Sequence, residues 1–156
     1  MITRYNLKKV LRYYPSTGVL RWLTKRSRGK IAGHTSLDGY LRIRYQGINY
    51  LSHRLVWLYV YGYFPEKAID HIDLNKTNNK LVNLREATRN ENQYNSLARN
   101  KLGVKGVEVN YNKYRAKATF NGHFYSLGNY NTLVEAKFAY DTFAKANHGQ
   151  FYVGAK

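Results

Sequence analysis

Apolar residues recur along this chain with two rhythms, which divide it into candidate helices and strands. Residues 3–13 carry Leu7, Val10 and Leu11 on one side and Lys8, Lys9 and Arg12 on the other, the spacing of a short amphipathic helix. Residues 15–18, Pro-Ser-Thr-Gly, read as a turn, and 19–23 as a strand carrying Trp22. Residues 40–45 alternate Tyr, Leu, Arg, Ile, Arg, Tyr. With the Gln46-Gly47 turn and residues 48–51 they predict a hairpin, Leu41 and Ile43 on one face and Arg42 and Arg44 on the other. Residues 53–61 are apolar nearly all round, which predicts a buried helix with Ser52 as its cap and Gly62 as its stop.

Beyond that helix the pattern turns polar. Residues 69–72 form a short apolar run, 73–79 a loop rich in Asn and Asp, and 81–87 a second strand. Thr88 and Glu91 have the Ser/Thr-x-x-Glu spacing of a capping box, so a helix is expected over 89–99. That helix offers only Tyr94, Leu97 and Ala98 as apolar cover, with Asn92, Asn95 and Arg99 on one stripe. So polar an element gains little from hydrophobic docking, and a divalent cation with a phosphate ligand would suit its face. Residues 100–105 read as a linker. Strands follow over 106–110, 114–120 and 123–128, the last two joined by Asn121-Gly122. Thr132 then caps a helix from 133 to about 147, whose stripe is Leu133, Ala136, Tyr140, Phe143 and Asn147. Val107, Val109, Ala116, Ala118, Tyr125 and Leu127 are expected to bury one face of this sheet under the helix. Glu108, Arg115, Lys117 and Thr119 fall on the other face.

Composition adds a partner. The 156 residues hold 26 Lys and Arg against 9 Asp and Glu, a net charge of +17, which implies a polyanion, most simply nucleic acid. The excess is segregated: residues 1–60 carry +11, 61–99 carry +1 and 100–156 carry +5. Lys25, Arg26, Arg28 and Lys30 lie in one Gly-containing loop that is suited to phosphate contacts or is simply solvated. Absence of cysteine excludes disulfides and thiolate metal sites. No apolar run approaches a membrane span and no signal peptide is evident, so a soluble, cytoplasmic protein is expected.

The stretch 70–92, D-H-I-D-L-N-K-T-N-N-K-L-V-N-L-R-E-A-T-R-N-E-N, resembles the ββα-metal module of HNH nucleases in the form found in phage and intron homing endonucleases. The resemblance implies that Asp70 and Asn92 are metal ligands, that His71 is the general base, and that Asn83 braces the loop and orients the histidine. It implies magnesium or manganese, one ion per site, since oxygen donors favour hard cations over zinc. It also implies hydrolysis of double-stranded DNA to 5′-phosphate and 3′-hydroxyl ends. Neutral imidazole can take the proton of water, and a Lewis acid can stabilise the charge that develops on the phosphate. His53 begins the buried helix within a His-Arg-Leu triplet also found in those nucleases, and either touches the site or makes a structural hydrogen bond.

Residues 104 to about 152 resemble the DNA-binding domain of plant ethylene-response factors (APETALA type). The likeness is carried by Val104-Lys-Gly-Val107, Tyr114-Arg-Ala-Lys-Ala118, Leu127-Gly128, Glu135-Ala136 and Ala139-Tyr140. It implies DNA contacts from Arg115, Lys117 and Thr119, together with Lys105 and Lys113. Glu108 and Ser126 depart from the plant pattern of Arg and Trp. The expected architecture is α+β. A nuclease domain spans 1–99, with a basic β region (1–51) and a core helix plus ββα motif (52–99), and a sheet-plus-helix domain spans 106–156. Arg42 and Arg44 join the basic loop as candidate DNA contacts. A non-catalytic DNA-binding regulator of the same fold is the alternative from another class. An RNA-binding protein using the sixteen tyrosines is a third reading.

Overall fold

The computed structural model describes residues 1–152, so the last four residues of the expected 106–156 domain lie outside the described part. Its chain mixes helices with small antiparallel sheets, an α+β arrangement. Contacts divide it into two compact units, Met1–Thr88 and Arg89–Lys156. Among the described residues no helix is long and apolar enough to cross a membrane.

In the first unit Thr3 caps α1 (Arg4–Val10), its hydroxyl accepting from the Asn6 amide at 3.2 Å. This helix is shorter than the 3–13 expected. At Leu11 the backbone turns extended, and β1 (Leu11–Tyr14) pairs antiparallel with β2 (Val19–Trp22). The reason is burial: Leu11 and Tyr13 are buried and Arg12 and Tyr14 exposed, an alternation only a strand can satisfy. Then β3 (His34–Thr35), β4 (Leu41–Tyr45) and β5 (Ile48–Leu51) form a three-stranded sheet. Gln46 and Gly47 both take positive φ, 48° and 78°, as a two-residue hairpin turn requires.

Strand β5 runs directly into α2 (Ser52–Tyr61). Leu51, not Ser52, therefore occupies the cap position, and the Ser52 hydroxyl is buried in the first turn. Leu55, Val56, Trp57 and Leu58 sink into the core with Leu7, Leu11, Leu20, Ile43, Ile69 and Leu84. Gly62, at φ 92°, ends the helix with its amide on the Leu58 carbonyl. Strands β6 (Ala68–His71) and β7 (Leu84–Ala87) close the unit as an antiparallel pair. The second strand is shorter than the 81–87 expected, because Leu81–Asn83 forms a 3-10 turn.

The second unit opens with α3 (Arg89–Tyr94), which stops well short of the expected residue 99. The cause is Lys105, whose ammonium donates to the Gln93, Tyr94 and Ser96 carbonyls and ends the helix there. Residues 100–104 are tied by Asn100, which donates to the Val104 and Val107 carbonyls at 2.6 Å. Strands β8 (Val107–Asn110), β9 (Lys113–Phe120) and β10 (His123–Tyr130) form an antiparallel sheet with β9 central. Helix α4 (Leu133–His148) lies over it, started by a Thr132–Glu135 capping box.

Ala116 and Ala118 face Ala136, Tyr140 and Ala144, small residues that let helix and sheet approach. Gly106 is part of the same packing: a Cβ there would meet the Tyr140 ring at 1.9 Å. Val109 and Tyr125, expected inside, are exposed by 60% and 37%. A register shift between Ser126 and Gly128 leaves Leu127 unpaired in the ladder and turns β10 relative to its neighbour.

Candidate active site

Strand β6 places the first two candidates. Ile69, Asp70 and His71 are all buried, so both faces of the two-stranded ribbon are covered. Asp70 stands opposite Arg85 in register, and their side chains meet there. The Arg85 Nε donates to Asp70 Oδ2 at 2.8 Å, with a second guanidinium nitrogen 2.7 Å from the same oxygen. His71 pairs in register with Leu84, and its ring turns to the loop that follows. Its Nε2 lies 3.0 Å from Asn79 Oδ1. An amide oxygen accepts, so this bond assigns the proton to Nε2 and leaves Nδ1 as the proton-accepting nitrogen.

Asn79, 1% exposed, is fixed by the loop rather than by its own side chain. Asp73 is the hub: its carboxylate accepts from the Asn75 amide at 2.8 Å, the Asn78 carboxamide at 2.6 Å and the Asn83 carboxamide at 2.9 Å. Asn83 reaches both ends of the loop, donating also to the Asn78 carbonyl and accepting from the Asp73 amide. Asn83 thus braces the loop, and the contact with the imidazole belongs to Asn79. The Tyr13 hydroxyl completes the frame. It donates to the Asn79 carbonyl and accepts from the Leu81 amide, each at 3.0 Å. Gly18 packs so close that a Cβ would meet the Lys80 nitrogen at 2.4 Å. The β1–β2 hairpin therefore buttresses the segment that holds the histidine.

A second imidazole joins the first. His53, from the start of α2, lies edge-on to His71 with ring centroids 5.1 Å apart, and Tyr40 is 5.4 Å from His53 and 6.0 Å from His71. The His53 Nδ1 is buried and meets no hydrogen-bond partner among the described residues. Of the two expectations for His53, its place is beside the site. Burial pushes it down to about 3, helped by the charges of His71 and Arg54. Burial also lowers His71, against the Asn79 bond and the carboxylates of Asp73 and Asp70, with Lys76 adding a smaller push downward. The cluster holds a neutral imidazole at ordinary pH, the state a proton acceptor needs.

Residues 50–94 match the family model described as HNH endonuclease. The chain is also 36% identical over 102 residues to an uncharacterized HNH endonuclease, L560, of Acanthamoeba polyphaga mimivirus. That alignment takes in 64% of this chain and 54% of the viral protein, so the chain spans about half the length of the relative it matches. No solved structure matches. The HNH-like segment contains Asp70, His71, Asn79, Asn83 and Asn92.

Asn92 lies on α3, in the second unit. Among the described residues no three His, Cys, Asp or Glu side chains cluster as a ready metal cage. The donor chemistry nonetheless fits a magnesium-type ion, which takes one or two carboxylates and completes its shell with water and phosphate oxygens. Asp70 is such a carboxylate, held in one orientation by Arg85.

The candidate DNA contacts fall into two groups. Lys25, Arg26, Arg28, Lys30, Arg44, Lys113 and Thr119 are exposed. The others have internal partners. Arg42 pairs with Asp38 at 2.6 Å, Arg115 and Lys117 share Glu108, and Lys105 holds the end of α3. Burial brings the Lys105 ammonium down to about 8, with the nearby Arg99 charge adding to it. Sequence reasoning missed Asn79, Tyr13, Arg85 and Tyr40. Only Asn79 left a signal, as one of several asparagines in a loop that must fold onto a strand end.

Proposed function

We propose that this chain is a divalent-metal-dependent DNA endonuclease of the phage homing type. The observation that carries the reading is the buried, neutral His71, oriented by Asn79, within the segment that matches the HNH endonuclease model. His71 Nδ1 takes the proton of a water whose oxygen attacks phosphorus. The 3′ oxygen departs and is protonated by solvent, leaving 5′-phosphate and 3′-hydroxyl ends. Asp70 would hold magnesium or manganese, with the Asn92 carboxamide as the second protein ligand that the HNH resemblance implies, and the ion would supply Lewis-acid stabilisation of charge on the phosphate. Asn83 acts through the loop and Asn79 through the ring.

Duplex DNA is the substrate, gripped through the exposed basic side chains of the 25–30 loop, Arg44 and Lys113, with the host cytoplasm as the place of action. The three-stranded sheet with Arg115, Lys117 and Thr119 opposite its helix supports a role for the second unit in holding DNA, in the ethylene-response-factor manner. There Arg115, Lys117 and Lys105 reach DNA only by exchanging an internal bond. The Asp70–Arg85 bond favours one rival, a DNA-binding regulator without catalysis, in which that carboxylate is permanently an ion-pair partner. Supercoiled plasmid incubated with the protein in magnesium, beside an EDTA control, separates the two. Metal-dependent nicked or linear product supports the nuclease, and intact plasmid under both conditions supports the regulator.

A further inference from the structure

A groove of about 520 Å³ lies within the second unit, between α3 and the segment that folds back from it to Gly106. Arg89, Asn92, Gln93 and Ser96 line one wall at helical spacing, and Arg99 and Lys105 contribute to the other. None of its lining residues is a carboxylate; Glu91, on the same helix, is not among them. Arg89 and Arg99 are exposed, whereas the Lys105 ammonium is turned inward onto the α3 carbonyls and adds charge from within. Residues 89–106, which form the groove, carry Arg89, Arg99, Lys101 and Lys105 against Glu91, a local net charge of +3.

We propose that this groove is a subsite for a backbone phosphate of duplex DNA, held by Arg89 and Arg99. A guanidinium fork matches two phosphate oxygens, and the Asn92 and Gln93 carboxamides and Ser96 hydroxyl supply further donors of the kind that position a backbone without reading bases. The choice of DNA as occupant rests on the nuclease reading. Neither arginine was among the DNA contacts expected from the sequence.

The test is fluorescence anisotropy of a labelled duplex with full-length wild type, Arg89→Ala, Arg99→Ala, Arg99→Lys and Lys145→Ala, in EDTA so that nothing is cut. Lys145, exposed on α4, controls for charge alone. Each arginine-to-alanine change is expected to weaken binding roughly five- to tenfold at low salt and reduce the salt slope by about 1, with Arg99→Lys restoring the slope but only part of the affinity. Lys145→Ala is expected to change affinity less than about twofold. Unchanged affinity and slope in both arginine variants, or an equal loss in Lys145→Ala, overturns the subsite. So does inorganic phosphate at matched ionic strength protecting Arg99 from a guanidine reagent when the duplex does not. Because binding is read without cleavage, a wild type that binds in this way but cuts no plasmid would sink the nuclease reading and leave the phosphate subsite standing.

Discussion

The two units of this chain use their interiors differently. In the first, Ser52, His53, Asp70, His71, Asn79 and Asn83 are all buried, concentrated around one strand end. Among the described residues of the second, the buried polar side chains are Asn95 and His148, and the core is Val107, four alanines and Tyr140 under a capped helix. Burying polar groups costs free energy unless each finds its partners, so their concentration marks where chemistry, not stability, has shaped the sequence. The second unit looks like packing, and the first like a site that packing holds in place.

The largest break in that contrast is expected from Asp70→Ala. Cleavage should fall by at least ~10³-fold, and the unit should also lose on the order of 3–5 kcal/mol because Arg85 is left without its carboxylate. Both tryptophans, Trp22 and Trp57, lie in the first unit, so urea unfolding followed by their fluorescence reads it selectively. Replacing both partners by leucine should restore the midpoint but not the activity. If activity returns with stability, Asp70 is a structural residue. In the second unit the counterpart is Gly106→Ala. Its φ of +71° and the Tyr140 ring in the path of a Cβ predict a loss of about 3 kcal/mol, visible as faster amide exchange in β8 and β9. Unchanged exchange would show that the ring can move aside.

Asn79→Ala separates orientation from folding within the first unit. Releasing the His71 ring should lower kcat by roughly 10²-fold with KM little changed, while loss of this buried bond costs the unit about 1–3 kcal/mol, too little to unfold it. A KM effect alone would place Asn79 in substrate binding. Acid is the next probe. His53 is held near 3 in the folded chain against about 6.5 when unfolded, so the unfolded chain binds the extra proton anywhere between those values. Stability is fully present above about pH 6.5 and falls as pH drops toward 3, by on the order of 1.4 kcal/mol per pH unit for each histidine kept neutral. Lys105 acts at the other end of the scale: with its folded value near 8, the second unit gains stability as pH rises from there toward 10.5. The smallest effect is Tyr13→Phe, about 1–2 kcal/mol from the lost hydroxyl bridge between Asn79 and Leu81.

Local chemistry was legible in the sequence wherever a short stretch decides the outcome. The Gln46-Gly47 hairpin, the Gly62 stop, and the Thr132 cap each depend on a few neighbouring residues, and each is found where the spacing puts it. Residues 11–13 misled because Leu11 fits a helix face as well as a strand, and only pairing with β2 chooses between them. The end of α3 was hidden for a similar reason, since its terminator, Lys105, lies eleven residues past the last helical residue Tyr94. In the site, Asp70, His71 and Asn83 stand out by residue type. Tyr13 does not, because its partner Asn79 is 66 residues away and a tyrosine among sixteen carries no mark of its contact.

Whether His71 takes a proton from water is tested most directly by plasmid cleavage in magnesium by wild type and by His71→Ala, with duplex binding measured on both. The variant is expected to bind duplex as the wild type does while its cleavage rate falls by roughly 10²- to 10⁴-fold. Cleavage by His71→Ala at the wild-type rate would contradict that role.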